Sequence, residues 1–113
     1  MTGNTTIKSV VVEGQQGLRF DFSGYLSGQE TEGLINEWNR VFTSMPETQF
    51  ILVWNCLEMS GYDSEARKRW TQALREMKSQ IREIRVITDS SLIRMGASIM
   101  AMDSQIEIKV YTS

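Results

Sequence analysis

Residues 50–67 constrain the fold more than any other stretch, because they read as strand, turn and helix in immediate succession. Phe50 to Val53 is a continuous apolar run, the pattern of a strand covered on both faces. Ser60 and Gly61 mark a turn. A helix opens behind it, and Asp63 or Ser64 is placed to cap it. Either side chain accepts a hydrogen bond from a backbone N–H that the first helical turn leaves unpaired.

The flanking sequence extends this unit in both directions. Ile7 to Glu13 and the alternating Leu18 to Phe22 predict two strands joined at Gly14 to Gly17 as a hairpin. A helix follows from about residue 29. Leu34, Trp38, Val41, Phe42 and Met45 lie on one face of it, and Pro46 ends it. The helix opened at residues 63–64 runs to about Arg82, with Ala66, Trp70, Ala73, Leu74, Met77 and Ile81 turned inward. Ile84 to Ile87 is a fourth strand, Leu92 to Met102 a short and strongly apolar helix, and Ile106 to Tyr111 a closing strand. The order is β-β-α-β-α-β-α-β over one domain, residues 1–113. Strands alternating with helices imply right-handed crossovers and a mainly parallel sheet, with the hairpin as an antiparallel edge.

Composition removes several classes of function. There is no histidine, hence neither the commonest general base near neutral pH nor the commonest metal ligand. The single cysteine, Cys56, cannot form an internal disulfide and fits a reducing, cytoplasmic setting. No apolar run reaches the ~20 residues of a membrane span, and the first residues, Met1 to Thr6, lack the apolar core of a signal peptide. A Gly-rich phosphate loop, a metal-ligand cluster and a serine–histidine pair are all missing from the sequence. The expectation is a non-enzymatic protein without catalytic residues, metal or cofactor. The net charge of −2 argues against nucleic-acid binding, although charge is uneven: residues 1–66 sum to −6 and residues 67–113 to +4.

Two loop-to-helix junctions are the candidate sites. The first comprises Ser60, Gly61, Tyr62, Asp63, Ser64 and Arg67. A phosphate on Ser64 would add about −1.5 to −2 charge at a helix N-terminus, which favours anions. Arg67 and Lys68 stand one turn on, and Asp63 and Glu65 oppose it. The plainer role of Ser64 is a helix cap. The second junction comprises Asp89, Ser90, Ser91 and Arg94, with Ser90 the cap in its plainer reading and Arg94 within reach of an anion. Ligands of open α/β sheets gather where strand ends meet helix N-termini, so the two junctions converge if their strands are neighbours. The basic face of residues 67–85 reads as a solvated helix surface, and the tryptophans and methionines read as core. An exposed edge strand offers a route to a homodimer.

The element order resembles the STAS fold of bacterial anti-sigma-factor antagonists and of the cytoplasmic domains of sulfate transporters, over residues 7–111. The local carrier is Asp63-Ser64 at the start of the helix after the third strand. In those antagonists a small residue and glycine follow the pair, and the partner kinase phosphorylates the serine; here Glu65 and Ala66 follow. Residues 62–70 (YDSEARKRW) and 88–98 (TDSSLIRMGAS) resemble the SpoIIAA-like, or STAS/SEC14-like, branch more closely. The resemblance implies a mixed sheet of about five strands with helices packed against it. It also implies a regulatory module that binds a protein partner, an anti-sigma-factor-like kinase or another regulator, with Ser64 as a switch. Its alternative is a SEC14-like carrier or sensor of a small lipophilic or anionic ligand.

Overall fold

A computed structural model describes residues 5–112; Met1 to Asn4, which belong to the N-terminal stretch read above as lacking a signal peptide, and Ser113 lie outside the described residues. Strands β1 (Thr6–Val12) and β2 (Gln15–Leu26) form the hairpin. Its turn is Glu13-Gly14, both at positive φ (50° and 79°), the backbone a two-residue hairpin loop demands. Helix α1 (Gly28–Ser44), β3 (Phe50–Tyr62), helix α2 (Ser64–Glu76), β4 (Ile81–Ile87), helix α3 (Ser91–Ser104) and β5 (Ile108–Tyr111) follow. The sheet order is β1-β2-β3-β4-β5. Only β1 and β2 pair antiparallel; the other neighbours are parallel.

A sheet laid down in sequence order with right-handed crossovers carries all its helices on one face. The core shows this: Phe20, Phe22, Leu52, Trp54, Ile84 and Val86 pack in one cluster with Trp38 of α1, Trp70 of α2 and Ile93 of α3. Phe20 is the hub, its ring 5.6 Å from Trp38, 6.2 Å from Trp54 and 5.8 Å from Trp70, all edge-on. The Trp70 indole N–H donates to the buried Thr31 hydroxyl at 3.1 Å, tying α2 to α1.

The apolar run Phe50 to Val53 is therefore covered by helices on one side only, not on both. Ile51 and Val53 face away from the helices and are still buried, at 1% and 8% exposure. Side chains on neighbouring strands flank them: Glu83 stands on one side of Ile51, and on the other Val10 and Val12 fill the space that a side chain at Gly17 would take, while Arg19 and Arg85 flank Val53. That open face is laced by ion pairs. Arg19 meets Asp21 at 3.0 Å, and Arg85 meets Glu83 at 2.8 Å and also pairs with Glu13.

Three element boundaries differ from expectation. β3 does not turn at Ser60-Gly61 but runs on to Tyr62, because β2 also runs on and pairs with it as far as Leu26↔Tyr62. The extension carries two register shifts, each adding a residue on β3, and such bulges bend a strand. α2 stops at Glu76 instead of Arg82; a 3-10 turn covers Lys78–Gln80, and Ile81 opens β4 opposite Phe50. The Gln80 side-chain amide lies 2.9–3.2 Å from the carbonyls of Phe42, Met45 and Thr48, so this turn also closes the end of α1. β5 begins at Ile108, two residues later than expected, after a left-handed cap at Gln105.

Candidate functional site

Asp63 is the cap of α2. One carboxylate oxygen accepts from the Ala66 N–H at 2.7 Å, and the other accepts from the Gly28 N–H at 3.2 Å. A single side chain thus serves the N-termini of both α1 and α2. The Asp63 N–H also donates to the Leu26 carbonyl at 3.1 Å. The fit is close enough that a Cβ on Gly28 would stand 2.6 Å from Glu65 Cγ. Ser64 is the first helical residue, exposed, with no hydrogen bond from its hydroxyl among the described residues. It is not the cap.

At the second junction Ser90 caps α3, its hydroxyl accepting from the Ile93 N–H at 3.3 Å. The buried Thr88 hydroxyl accepts from the Ser90 N–H at 3.0 Å. Asp89, Ser91 and Arg94 are exposed.

β3 and β4 are parallel neighbours, but their pairing ends at Asn55↔Ile87, and β3 continues for another seven residues. At ~3.3 Å per residue the Asp63 corner is carried past the level of the 88–91 loop. Its direct partner is the Ser27-Gly28 corner of α1. Contact with α3 comes through the Tyr62 side chain: a Cβ on Gly96 would stand 2.3 Å from the Tyr62 hydroxyl. Ser60 is exposed on the bulged part of β3, and Gly61 is buried beside Tyr25.

Under Tyr62 lies a cavity of about 50 Å³. Phe22, Leu26, Trp54 and Cys56 form its floor; Trp70 and Arg67 of α2 wall it on one side, and Ile93, Gly96, Ala97 and Met100 of α3 on the other. Burial pushes the Cys56 thiol up to about 12, so it is a small apolar group here rather than a nucleophile. Arg67 is half-buried.

The outer face of α3 escaped the sequence reading. Leu92, Met95, Ile99 and Met102 are exposed by 59%, 61%, 37% and 79%. They are spaced by three, four and three residues, which is one helical stripe. Beside it runs a groove lined by Arg67, Lys68 and Arg75 of α2 together with Ile99 and Asp103. The signal was present in the sequence as a second apolar face on a helix that needs only one.

No family model matches the chain, and no curated protein matches it. Several solved structures share its architecture, among them these two. One is an uncharacterized protein of the DUF3478 family with a SpoIIAA-like fold from Shewanella loihica: TM-score 0.79 at 12% identity, covering 98% of this chain and 88% of that one. The other is the anti-sigma factor antagonist SpoIIAA in its unphosphorylated form: TM-score 0.58 at 13% identity, covering 96% of this chain and 87% of that one. The class is thereby defined as a mixed α/β domain with helices on one face of a five-stranded sheet. Within it the chain has the SpoIIAA-like, STAS-type fold. Among the described residues no helix is long and apolar enough to cross a membrane.

Proposed function

We propose that the protein is a non-enzymatic interaction module that binds a protein partner through the outer face of α3 and the adjoining basic face of α2. The observation that carries this reading is the exposed stripe Leu92, Met95, Ile99 and Met102. Four large apolar side chains in line on one surface helix mark a contact surface, whereas single exposed ones are ordinary. In the groove that borders it the cations Arg67, Lys68 and Arg75 outnumber the one carboxylate, Asp103, so the partner's complementary surface is apolar at its centre and mainly acidic at its rim.

Ser64 is the switch in this reading. Its hydroxyl is exposed and unused by the cap, since Asp63 holds that role. A phosphate there would lie at the N-terminus of α2, one turn before Arg67 and Lys68. It would place negative charge beside a basic rim and so weaken docking of an acidic partner. The fold likeness to an anti-sigma factor antagonist supports a partner of regulatory type.

The test is capture of the partner from the source cells by the wild-type protein and by Met95→Asp, Leu92→Asp and Ser64→Glu variants of equal thermal stability. A partner lost with the two α3 variants and weakened by Ser64→Glu is the expected result. Identical recovery with all four proteins would refute the reading. Incubation with lysate and ATP, followed by mass spectrometry, tests the switch separately: Ser64 must be modified under some growth condition.

A further inference from the structure

Two of the four side chains in the α3 stripe are methionines, and they differ from the other methionines among the described residues. Met95 and Met102 are exposed by 61% and 79%, whereas Met45, Met59, Met77 and Met100 are half-buried and pack against the core cluster. The exposed pair is two turns apart, about 10 Å along one face of α3, with Ile99 between them. The single cysteine offers no competing sulfur, because Cys56 is 5% exposed and burial keeps its thiol protonated. Among the described residues, the sulfur atoms most open to an oxidant therefore lie in the docking stripe.

We infer that Met95 and Met102 form a reversible oxidation site at which a hydroperoxide releases the docked partner; the switch rests on the docking role proposed for the stripe. The thioether sulfur gives an electron pair to one peroxide oxygen, so that an S–O bond forms and the O–O bond breaks. The sulfur loses two electrons. The departing oxygen takes the proton of the transferred one and leaves as water, or as an alcohol from an organic hydroperoxide. The thioether returns when a dithiol-dependent sulfoxide reductase removes the oxygen as water, its two thiols becoming a disulfide. Oxidation turns a flexible apolar side chain into a polar one. The new oxygen is an acceptor that an apolar partner surface leaves unpaired, so each sulfoxide opposes burial. Two of them interrupt the stripe on both sides of Ile99. Both side chains stand in solvent in the free protein, so the change acts on docking and leaves core packing intact.

The experiment treats the whole native protein with hydrogen peroxide and maps sulfoxides over time by peptide mass spectrometry. Met95 and Met102 should oxidise several-fold faster than Met45, Met59, Met77 and Met100, and urea should erase the difference. With only the exposed pair oxidised, the melting temperature should stay unchanged. Affinity for the partner captured from the source cells should then fall roughly ten-fold, equivalent to about 1.4 kcal/mol, and a methionine sulfoxide reductase supplied with dithiol should restore it. Met95→Leu combined with Met102→Leu keeps the stripe apolar at similar volume, so this variant should hold the partner equally before and after peroxide. Equal oxidation rates at the exposed and half-buried methionines overturn the proposal. A partner lost with Met95→Asp yet retained by the wild-type protein oxidised at both positions refutes the switch alone. If no partner depends on the stripe before oxidation, the docking reading fails and takes the switch with it. Should the leucine pair fail to fold, reversal by the reductase on the wild-type protein decides.

Discussion

Asp63→Ala should be among the most damaging substitutions outside the aromatic core, and Ser64→Ala among the mildest, although the two residues are adjacent. The Asp63 carboxylate makes two bonds, 2.7 Å to the Ala66 N–H and 3.2 Å to the Gly28 N–H. Loss of a helix cap costs about 1 kcal/mol. The second bond, from another helix N-terminus to the same charged group, is worth roughly 1.5–2 kcal/mol more. The sum, about 3 kcal/mol, would lower the melting temperature by roughly 12 °C for a domain of this size. Asp63→Ser keeps one acceptor within reach of the Ala66 N–H and loses the Gly28 bond, so it should fall about halfway. Ser64→Ala removes an exposed hydroxyl that bonds nothing and substitutes a better helix former, for a change within about 0.5 kcal/mol. Urea unfolding followed by far-UV circular dichroism measures all three. Should Ser64→Ala cost more than Asp63→Ala, Ser64 is the cap after all, and the argument that its hydroxyl is free for modification collapses.

Gly96→Ala should displace Tyr62, because the new methyl would stand 2.3 Å from its hydroxyl; the overpacking cost of about 1–3 kcal/mol exceeds the helix-propensity gain of about 1 kcal/mol, and adding Tyr62→Phe should recover part of the loss in a thermal melt. Cys56, held neutral by burial up to about 12, should resist iodoacetamide at pH 8 until denaturant is added. Its thiol ionises first in the unfolded chain, so stability is retained below about pH 8.5 and declines as pH climbs toward the folded value; a Cys56→Ala variant should lack that alkaline decline. Burial pushes the Asp21 carboxyl up, yet hydrogen bonds from Asn55 and Arg19 and the charges of Arg19 and Lys8 outweigh it and hold it below the usual carboxylate range. Its stabilising contribution is present above about pH 3.9 and disappears as pH falls through the folded value, so Asp21→Asn should flatten the acid limb of a stability–pH curve.

Element order and sheet direction were legible because the periods of two and 3.6 residues separate well over long segments such as Leu18 to Phe22 and Leu34 to Met45. The boundaries that failed had residues fitting both periods. Ile81 continues the helical spacing of Leu74 and Met77, yet it also leads Ile84 and Val86 into the core from the strand. Ser60 and Gly61 carry turn chemistry, but a bulged strand uses the same small residues, and only the partner strand decides which is formed. The double role of Asp63 was out of reach for a related reason. It depends on Gly28, which lies 35 residues away and comes alongside only because β2 and β3 overrun the rest of the sheet together.

The three helices invite comparison with one another. α1 and α2 turn acids, amides and bases to solvent: Glu32, Asn36, Glu37 and Arg40 on the first, Glu65, Lys68, Gln72 and Arg75 on the second. α3 turns out Leu92, Met95, Ile99 and Met102 instead, although it already buries Ile93, Gly96 and Ala97 and needs no second apolar face to hold its place. An exposed stripe of this kind invites aggregation, and its position beside a groove with three cations and one carboxylate, Asp103, limits what can cover it. A second copy docked stripe to stripe about a two-fold axis would bring like-charged rims together, at a cost in affinity. An acidic, amphipathic surface on a different protein meets both the stripe and its rim. The protein should therefore remain monomeric in moderate salt, and an acidic partner should associate more slowly as salt screens the rim. A dimer that withstands high salt and dissociates on Met95→Asp would assign the stripe to self-association instead.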